Sequence, residues 1–270
     1  MTYSIPKGAA LITGASSGIG AVYADRLARR GHDLILVARD IDRLDALAAR
    51  LTTQTGVKVD VLKADLADRA QRRAVEDRLA SDPTISILVN NAGISVGGPV
   101  TGGDLDKLET IIDLNITAAT RLAGAAATAF AGRGAGLIIN IASVLALAPE
   151  ITNGVYAGSK AYILNLSHAL NVELASRGVR VQTVLPGATR TEIWARSGIN
   201  IDTFPAEMVM EVDDMVDAAL AGLDAGELVT IPSLPDVVDW NAFEAARANL
   251  RPNLSRDRSA ERFRETEPAV

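Results

Sequence analysis

A doubly wound α/β fold, a parallel sheet of about seven strands flanked by helices on both faces, is what this sequence predicts. Three observations carry the prediction. Short apolar, β-branched runs alternate with longer Ala/Leu/Arg-rich segments of helical spacing along most of the chain. Most of the short runs are continuously apolar rather than alternating, as in strands covered on both faces. A glycine-rich turn follows the first run and opens the first helical segment.

The strand candidates are Ala9–Thr13, Leu34–Ala38, Val57–Leu62, Ile85–Asn90, Leu137–Ile141, Val179–Leu185 and Leu228–Ile231. Between the second and third, Ile41, Leu44, Leu47, Ala48 and Leu51 fall on one face of a helix. The stretch Ile111–Phe130 is long enough to cross a bilayer, but Asp113, Asn115 and Arg121 interrupt it, so it predicts a buried or subunit-contacting helix. No internal repeat and no Pro/Gly/Ser-rich linker divides the 270 residues. Residues 1–250 are therefore expected to form a single domain. Two stretches break the rhythm. Residues 189–212 lose their period while holding Trp194, Phe204, Met208 and Met210, as a lid or substrate loop does. Residues 251–270 carry five Arg, four acidic residues and two Pro, a polar tail that is either mobile or docked on a neighbouring subunit.

Composition excludes several functions. Lys plus Arg number 27 against 33 Asp plus Glu, a net charge of −6 that argues against nucleic acid as a partner. Cysteine is absent, which rules out disulfides, thiolate metal sites and a cysteine nucleophile. His32 and His168, the two histidines, lie far apart, and no metal site is expected. Met1–Lys7 lacks the order of a signal peptide, and Gly136–Pro149 is too short for a membrane span, so a cytoplasmic location and no membrane association are expected.

The turn Thr13-Gly14-Ala15-Ser16-Ser17-Gly18-Ile19-Gly20 leads into a helix. Its glycines permit positive φ and close approach of a phosphate, and the helix N-terminus offers free N–H groups to a pyrophosphate. Gly14, Ser16, Ser17, Gly18, Ile19 and Gly20 are the candidate cofactor contacts here. The alternative is an ordinary strand-to-helix turn. The second strand candidate ends in Ala38-Arg39, where an acidic residue would bind a ribose 2′-hydroxyl. Alanine leaves room for a 2′-phosphate and Arg39 can clamp it, which favours NADP(H), with NAD(H) kept as the alternative. Arg39 can equally be a surface arginine, and Asp40 beside it can be a helix cap.

Further along, Tyr156 and Lys160 are four residues apart, on one face of a helix. A neighbouring ammonium favours phenolate, so Tyr156 is expected to have a lowered pKa and to exchange protons. Ser143, thirteen residues earlier, stands at the end of the strand Leu137–Ile141, where α/β sheets bind ligands. Asn115 is a polar amide in an apolar helix and either seats a proton relay or is a satisfied core residue.

The ordered set Thr13-Gly14-x-x-x-Gly18-x-Gly20, Asp65, Asn90-Asn91-Ala92-Gly93, Asn115, Ser143, Tyr156-x-x-x-Lys160 and Pro186-Gly187 resembles the compact short-chain dehydrogenase/reductase family across residues 8–231. The resemblance implies a Rossmann fold and a catalytic set of Ser143, Tyr156, Lys160 and Asn115. Ser143 would orient the carbonyl or alcohol and Tyr156 would exchange its proton. Lys160 would lower the Tyr156 pKa and bind the nicotinamide ribose, and Asn115 would place a water linking Lys160 to solvent. It further implies that Asp65 and Leu66 meet the adenine, that Asn91, Ala92 and Gly93 pass along the cofactor, and that Pro186, Gly187 and Thr191 face the nicotinamide. One departure is Ser17, where some NADP-preferring relatives carry a basic residue.

The expected activity is hydride transfer between NADP(H) and a carbonyl or secondary alcohol. Ile94–Pro99, Val144–Pro149 and the loop from Thr189 are mostly apolar and favour a neutral, lipophilic ketone or aldehyde. Arg190, Glu192 and Arg196 instead favour a charged substrate if they reach the site. The alternatives are an NAD(P)+-dependent secondary-alcohol dehydrogenase and a non-enzymatic dinucleotide sensor, the latter opposed by the intact Ser, Tyr and Lys. The apolar runs Ile111–Phe130 and Tyr162–Leu174 suggest a shared subunit face, hence a homodimer or homotetramer.

Overall fold

The computed structural model describes residues 5–151 and 154–264. The chain falls into two compact units, Met1–Pro232 and Ser233–Val270. Of the tail expected over 251–270, residues 265–270 lie outside the described residues, as does Met1–Ser4 of the stretch read for targeting.

The first unit is built on seven parallel strands: β1 Ala9–Thr13, β2 Leu34–Ala38, β3 Val59–Lys63, β4 Ile85–Asn90, β5 Gly136–Ile141, β6 Val179–Val184 and β7 Val229–Thr230. Three coincide with the predicted bounds. β3 starts later than expected because Gly56, at φ +76°, caps the preceding helix and leaves residues 57 and 58 to the connection. The sheet order is β3-β2-β1-β4-β5-β6-β7. Strand order therefore reverses between β1 and β4, which opens a crevice at their carboxyl ends.

Helices α1 (Gly18–Arg29), α2 (Ile41–Thr55) and α8 (Val212–Ala225) cover one face, packing Leu27, Leu44, Leu51 and Leu220 on Ile12, Leu36, Val89 and Ile139. Helices α3 (Arg69–Ser81), α5 (Ala119–Arg133) and α6 (Gly154–Leu174) cover the other, packing Leu79, Leu122, Phe130 and Leu170 on Leu11, Val37, Leu88 and Ile138. Each such fully buried side chain contributes about 1.5–3 kcal/mol. Asp40, Asp68 and Asp104 cap the helices that follow them by accepting from Arg43, Gln71 and Lys107 N–H groups. Asp40 is thus a cap.

The predicted Ile111–Phe130 helix has three parts. A short α4 (Leu105–Ile111) runs into a π-helical segment, Ile112–Ala118, and then into α5. At the far side of the sheet β7 has two residues and stops short of β6's start. Thr183 and Leu185 donate to Leu228 and Thr230, and alternation points the Val181 N–H the same way. There the Asn171 amide accepts from Val181 N at 3.3 Å and donates to Val181 O at 3.0 Å, standing in for the missing strand.

The second unit holds α9 (Val237–Asn249), capped by Asp236, with the Trp240 and Phe243 rings stacked at 5.4 Å. Two 3-10 turns follow, Arg251–Asn253 and Glu261–Phe263. No described helix is long and apolar enough to cross a membrane.

Candidate active site

The glycine-rich turn is wedged against the end of β4. Gly14 and Gly18 have φ of +66° and +54°, left-handed values that L side chains resist. A Cβ on Gly20 would collide with the Gly14 carbonyl, and one on Gly14 would stand 2.8 Å from the Asn91 amide nitrogen. The Thr13 hydroxyl accepts from the N–H groups of Asn91 and Ala92, both at 2.9 Å, while the Asn91 amide donates to Thr13 O at 2.8 Å. Ser17 precedes α1 without capping it by its side chain, in contrast to Asp40, Asp68 and Asp104. Ser16 and Ser17 are half-buried, and Ile19 packs on the core below.

Arg39 follows the last residue of β2. Its side chain is two-thirds exposed, with the Asp65 carboxylate at 3.8 Å. Asp65 also accepts from Ala67 N. Leu66 is buried in the core beneath, and its carbonyl accepts from Arg72.

The predicted catalytic residues converge at the carboxyl ends of β4 and β5. Ser143 accepts from Leu145 N at 3.2 Å and donates to Pro186 O at 3.4 Å, and it stands close enough to the Tyr156 phenol to lower its pKa. The same stretch is tied to the turn after β6, where Pro186 O accepts from Val144 N at 3.0 Å. Lys160 lies one helical turn beyond Tyr156, with Nζ 5.6 Å from the Tyr156 ring centre, and donates to Ile141 O at 3.1 Å. Asn115, in the π segment, accepts from Ile94 N and donates to Ile94 O, both at 2.9 Å, and donates to Ser159 Oγ at 3.2 Å. Ser159 in turn donates to Tyr156 O at 2.7 Å. A Cβ on Gly93 would lie 3.1 Å from Asn115 Oδ1 and 3.5 Å from Lys160 Nζ, so a glycine leaves these groups room to meet. Deeper in the sheet Asn90, paired in register with Asn140, donates to Asn140 Oδ1 and to Ala119 O, and Asn140 donates to Ser167.

The electrostatics depart from expectation at Tyr156. Burial pushes its pKa up to about 12, opposed by the polar hydroxyl of Ser143 beside it, instead of the lowering expected from Lys160. Lys160 is itself buried, and burial brings its ammonium down to about 8. Desolvation is the largest cause for both groups.

The loop over 189–212 is closed at its root. Thr189 bridges Met210, Met210 N donates to Ala188 O and Arg190 N donates to Met210 O. Arg190 pairs with Asp202 and Glu211, and Trp194 donates to Thr189 O with its ring edge-on to Phe204 at 5.2 Å. Gly187 O accepts from Thr189 Oγ1. Within the loop is a short helix, α7 (Ile193–Arg196). Thr191 lies against the glycine-rich turn, since a Cβ on Gly18 would be 3.2 Å from its methyl. A cavity of about 350 Å³ opens between the segment after Gly93 and α7, and its lining mixes Val96, Pro99 and Leu108 with Asp104, Lys107 and Arg196. Charged side chains thus border one of the apolar segments expected to form the substrate pocket.

Arg43 and Asn171 escaped the sequence analysis. Arg43 sits one turn after Arg39 and reaches Glu192 at 2.8 Å. Its spacing from Arg39 was a usable clue, but its partner was not. Asn171 carries no local mark of its task, because Val181 lies on another element.

A family model described as short chain dehydrogenase matches residues 8–201. A short-chain dehydrogenase from Sphingobium yanoikuyae, solved in complex with NADPH, is 52% identical over 95% of this chain and 100% of its own, with a TM-score of 0.92. A bulky-bulky ketone specific alcohol dehydrogenase from Comamonas testosteroni is 46% identical over 95% of this chain and 98% of its own, with a TM-score of 0.87. A very-long-chain 3-oxoacyl-CoA reductase from Anas platyrhynchos is 34% identical over 191 residues, 68% of this chain and 60% of its own length.

Proposed function

The chain belongs to the short-chain dehydrogenase family, an oxidoreductase family, and from that premise we propose that it reduces a neutral, lipophilic ketone or aldehyde with NADPH. The observation that carries this reading is the gathering of Ser143, Tyr156, Lys160 and Asn115 at the carboxyl ends of β4 and β5, with Lys160 Nζ 5.6 Å from the Tyr156 ring centre and Asn115 joined to Tyr156 O through Ser159.

The residues present fit a dinucleotide. Positive φ at Gly14 and Gly18, the bare Cα of Gly20 and the absence of a side-chain cap at Ser17 leave the first turn of α1 open to a pyrophosphate. Gly14 to Gly20, Asn91 to Gly93, Pro186, Gly187 and Thr191 would line its path, with Asp65 and Leu66 at the adenine end. Ala38 followed by the exposed Arg39 suits a 2′-phosphate, which supports NADP(H) over NAD(H). The NADPH carried by the Sphingobium relative supports the same choice.

Bound nicotinamide supplies the hydride. The chain's own part is to hold the substrate oxygen and move a proton to it. Ser143 positions that oxygen beside the Tyr156 phenol. Burial keeps the phenol protonated at neutral pH, the state a donor needs. Lys160 lies within the same buried site and would bind the nicotinamide ribose, while Asn115 fixes the Ile94 backbone beside it. In reverse the same groups serve a secondary alcohol, since both directions share one transition state.

A subunit face on α5 and α6 is part of this reading. Thr120 of α5 donates to Tyr162 of α6, and Val172 on α6 is 80% exposed. We expect a homodimer or homotetramer in the cytoplasm, and a monomer by light scattering at micromolar concentration would refute the assembly.

The deciding experiment titrates the protein with NADPH and NADH by cofactor fluorescence, in wild type and Arg39→Ala. Tight NADPH binding that weakens selectively in the variant supports the reading, and reductive turnover is then screened on bulky ketones. Equal or tighter NADH binding in wild type overturns the cofactor choice.

A further inference from the structure

Arg43 Nη1 donates to both carboxylate oxygens of Glu192, at 2.8 and 2.9 Å, across 149 residues of chain. Arg43 belongs to the first turn of α2, just beyond Arg39. Glu192 belongs to the segment that leaves β6, and its neighbour Thr191 lies against Gly18. That segment therefore starts three strand positions from β1, passes the glycine-rich turn and ends on α2, at the far side of β1. A dinucleotide running from the glycine-rich turn to Arg39 would lie under it. We propose that Arg43 and Glu192 form a latch over the cofactor crevice, and that breaking this ion pair sets how fast the cofactor leaves.

The surrounding contacts fix one end of the segment more firmly than the other. The root of the segment is fixed by the Thr189–Met210 bridge and by Arg190 with Asp202 and Glu211. The outward reach depends on Glu192, which also accepts from Arg196 at 2.5 Å and so carries α7 with it. The carboxyl of Glu192 is held below the usual range, chiefly by the Arg43 hydrogen bond against a smaller effect of burial, so it is fully charged at neutral pH. Arg43 is also 3.4 Å from Asp40, which steadies its guanidinium on α2. Both partners are about half exposed, 47% and 46%, so the pair is a weak and salt-sensitive tie. Such a tie is suited to opening once per turnover; a buried pair would hold too long.

This inference rests on the crevice being a dinucleotide site, and the test separates the two. NADPH release is followed by stopped-flow fluorescence in wild type, Glu192→Gln, Arg43→Gln and the double variant. Each single change is expected to raise the release rate about two- to fivefold at low salt, the range of an exposed ion pair. The double variant is expected to be no faster than the worse single one, and the wild-type advantage to fade at ~1 M salt. Unchanged release, additive effects, or slower release in Glu192→Gln would overturn the latch; the last would make Glu192 a competitor for Arg43. A wild type that binds neither NADPH nor NADH would refute the cofactor site itself.

Discussion

The Lys160 ammonium donates to the Ile141 carbonyl at 3.1 Å in a buried site, and burial brings its pKa down to about 8 from its ordinary 10.5. The unfolded chain therefore holds a proton between pH 8 and 10.5 that the folded chain has released, so this group makes stability rise with pH across that window. Below pH 8 the folded chain must bury the charge. Lys160→Met removes the cost, and its advantage over wild type in urea unfolding is expected to shrink by about 2–3 kcal/mol between pH 7 and 10. A constant difference would show that Lys160 is not desolvated in solution.

Tyr156→Phe deletes the phenol hydroxyl beside Ser143 and leaves the ring in place. Reductive turnover is expected to fall by about 10²–10⁴-fold, with NADPH affinity unchanged within about twofold. Retained turnover would move the proton donor elsewhere.

Gly20→Ala drives a methyl into the Gly14 carbonyl and toward the Asn91 amide. Backbone on that side cannot yield as a flexible side chain would. A loss of about 1–3 kcal/mol in urea unfolding is expected, together with weaker NADPH binding by fluorescence. A variant with wild-type stability and affinity would show that the glycine-rich turn has slack.

Asn171→Leu leaves the N–H and C=O of Val181, itself fully buried, without the amide that serves them. Two unsatisfied backbone groups are expected to cost about 2–4 kcal/mol in urea unfolding. A loss under about 1 kcal/mol would mean that water reaches this edge.

Residues whose role is set by their immediate neighbours were legible in the sequence. Continuous apolar runs gave β1, β2 and β4 to the residue, and the spacing of Leu44, Leu47 and Leu51 gave the buried face of α2. The predicted catalytic residues do meet, because Tyr156 and Lys160 share a helix face and Ser143 ends a strand. What stayed hidden depends on pairs far apart in the chain. Asn171 with Val181 and Arg43 with Glu192 are joined only by folding. The direction of the Tyr156 shift stayed hidden for a related reason. Spacing reveals which charge stands nearby, but desolvation depends on everything that encloses the phenol, and here it wins.

A π turn holds more residues than an α turn, and the wide segment Ile112–Ala118 interrupts an otherwise continuous helix from Leu105 to Arg133. In most helices the loss of one residue turns everything downstream by about 100° and buries the wrong face. Here such a deletion can be absorbed by rewinding to an ordinary helix, leaving the Leu122 and Phe130 face where it was. The casualty would be Asn115 and its grip on both sides of Ile94. A single-residue deletion within 112–118 is therefore expected to melt within a few degrees of the parent while losing turnover, and a collapsed melt would disprove it. One lost codon would thus separate folding from turnover, as expected if the surplus residue serves Asn115 and not the packing of the helix.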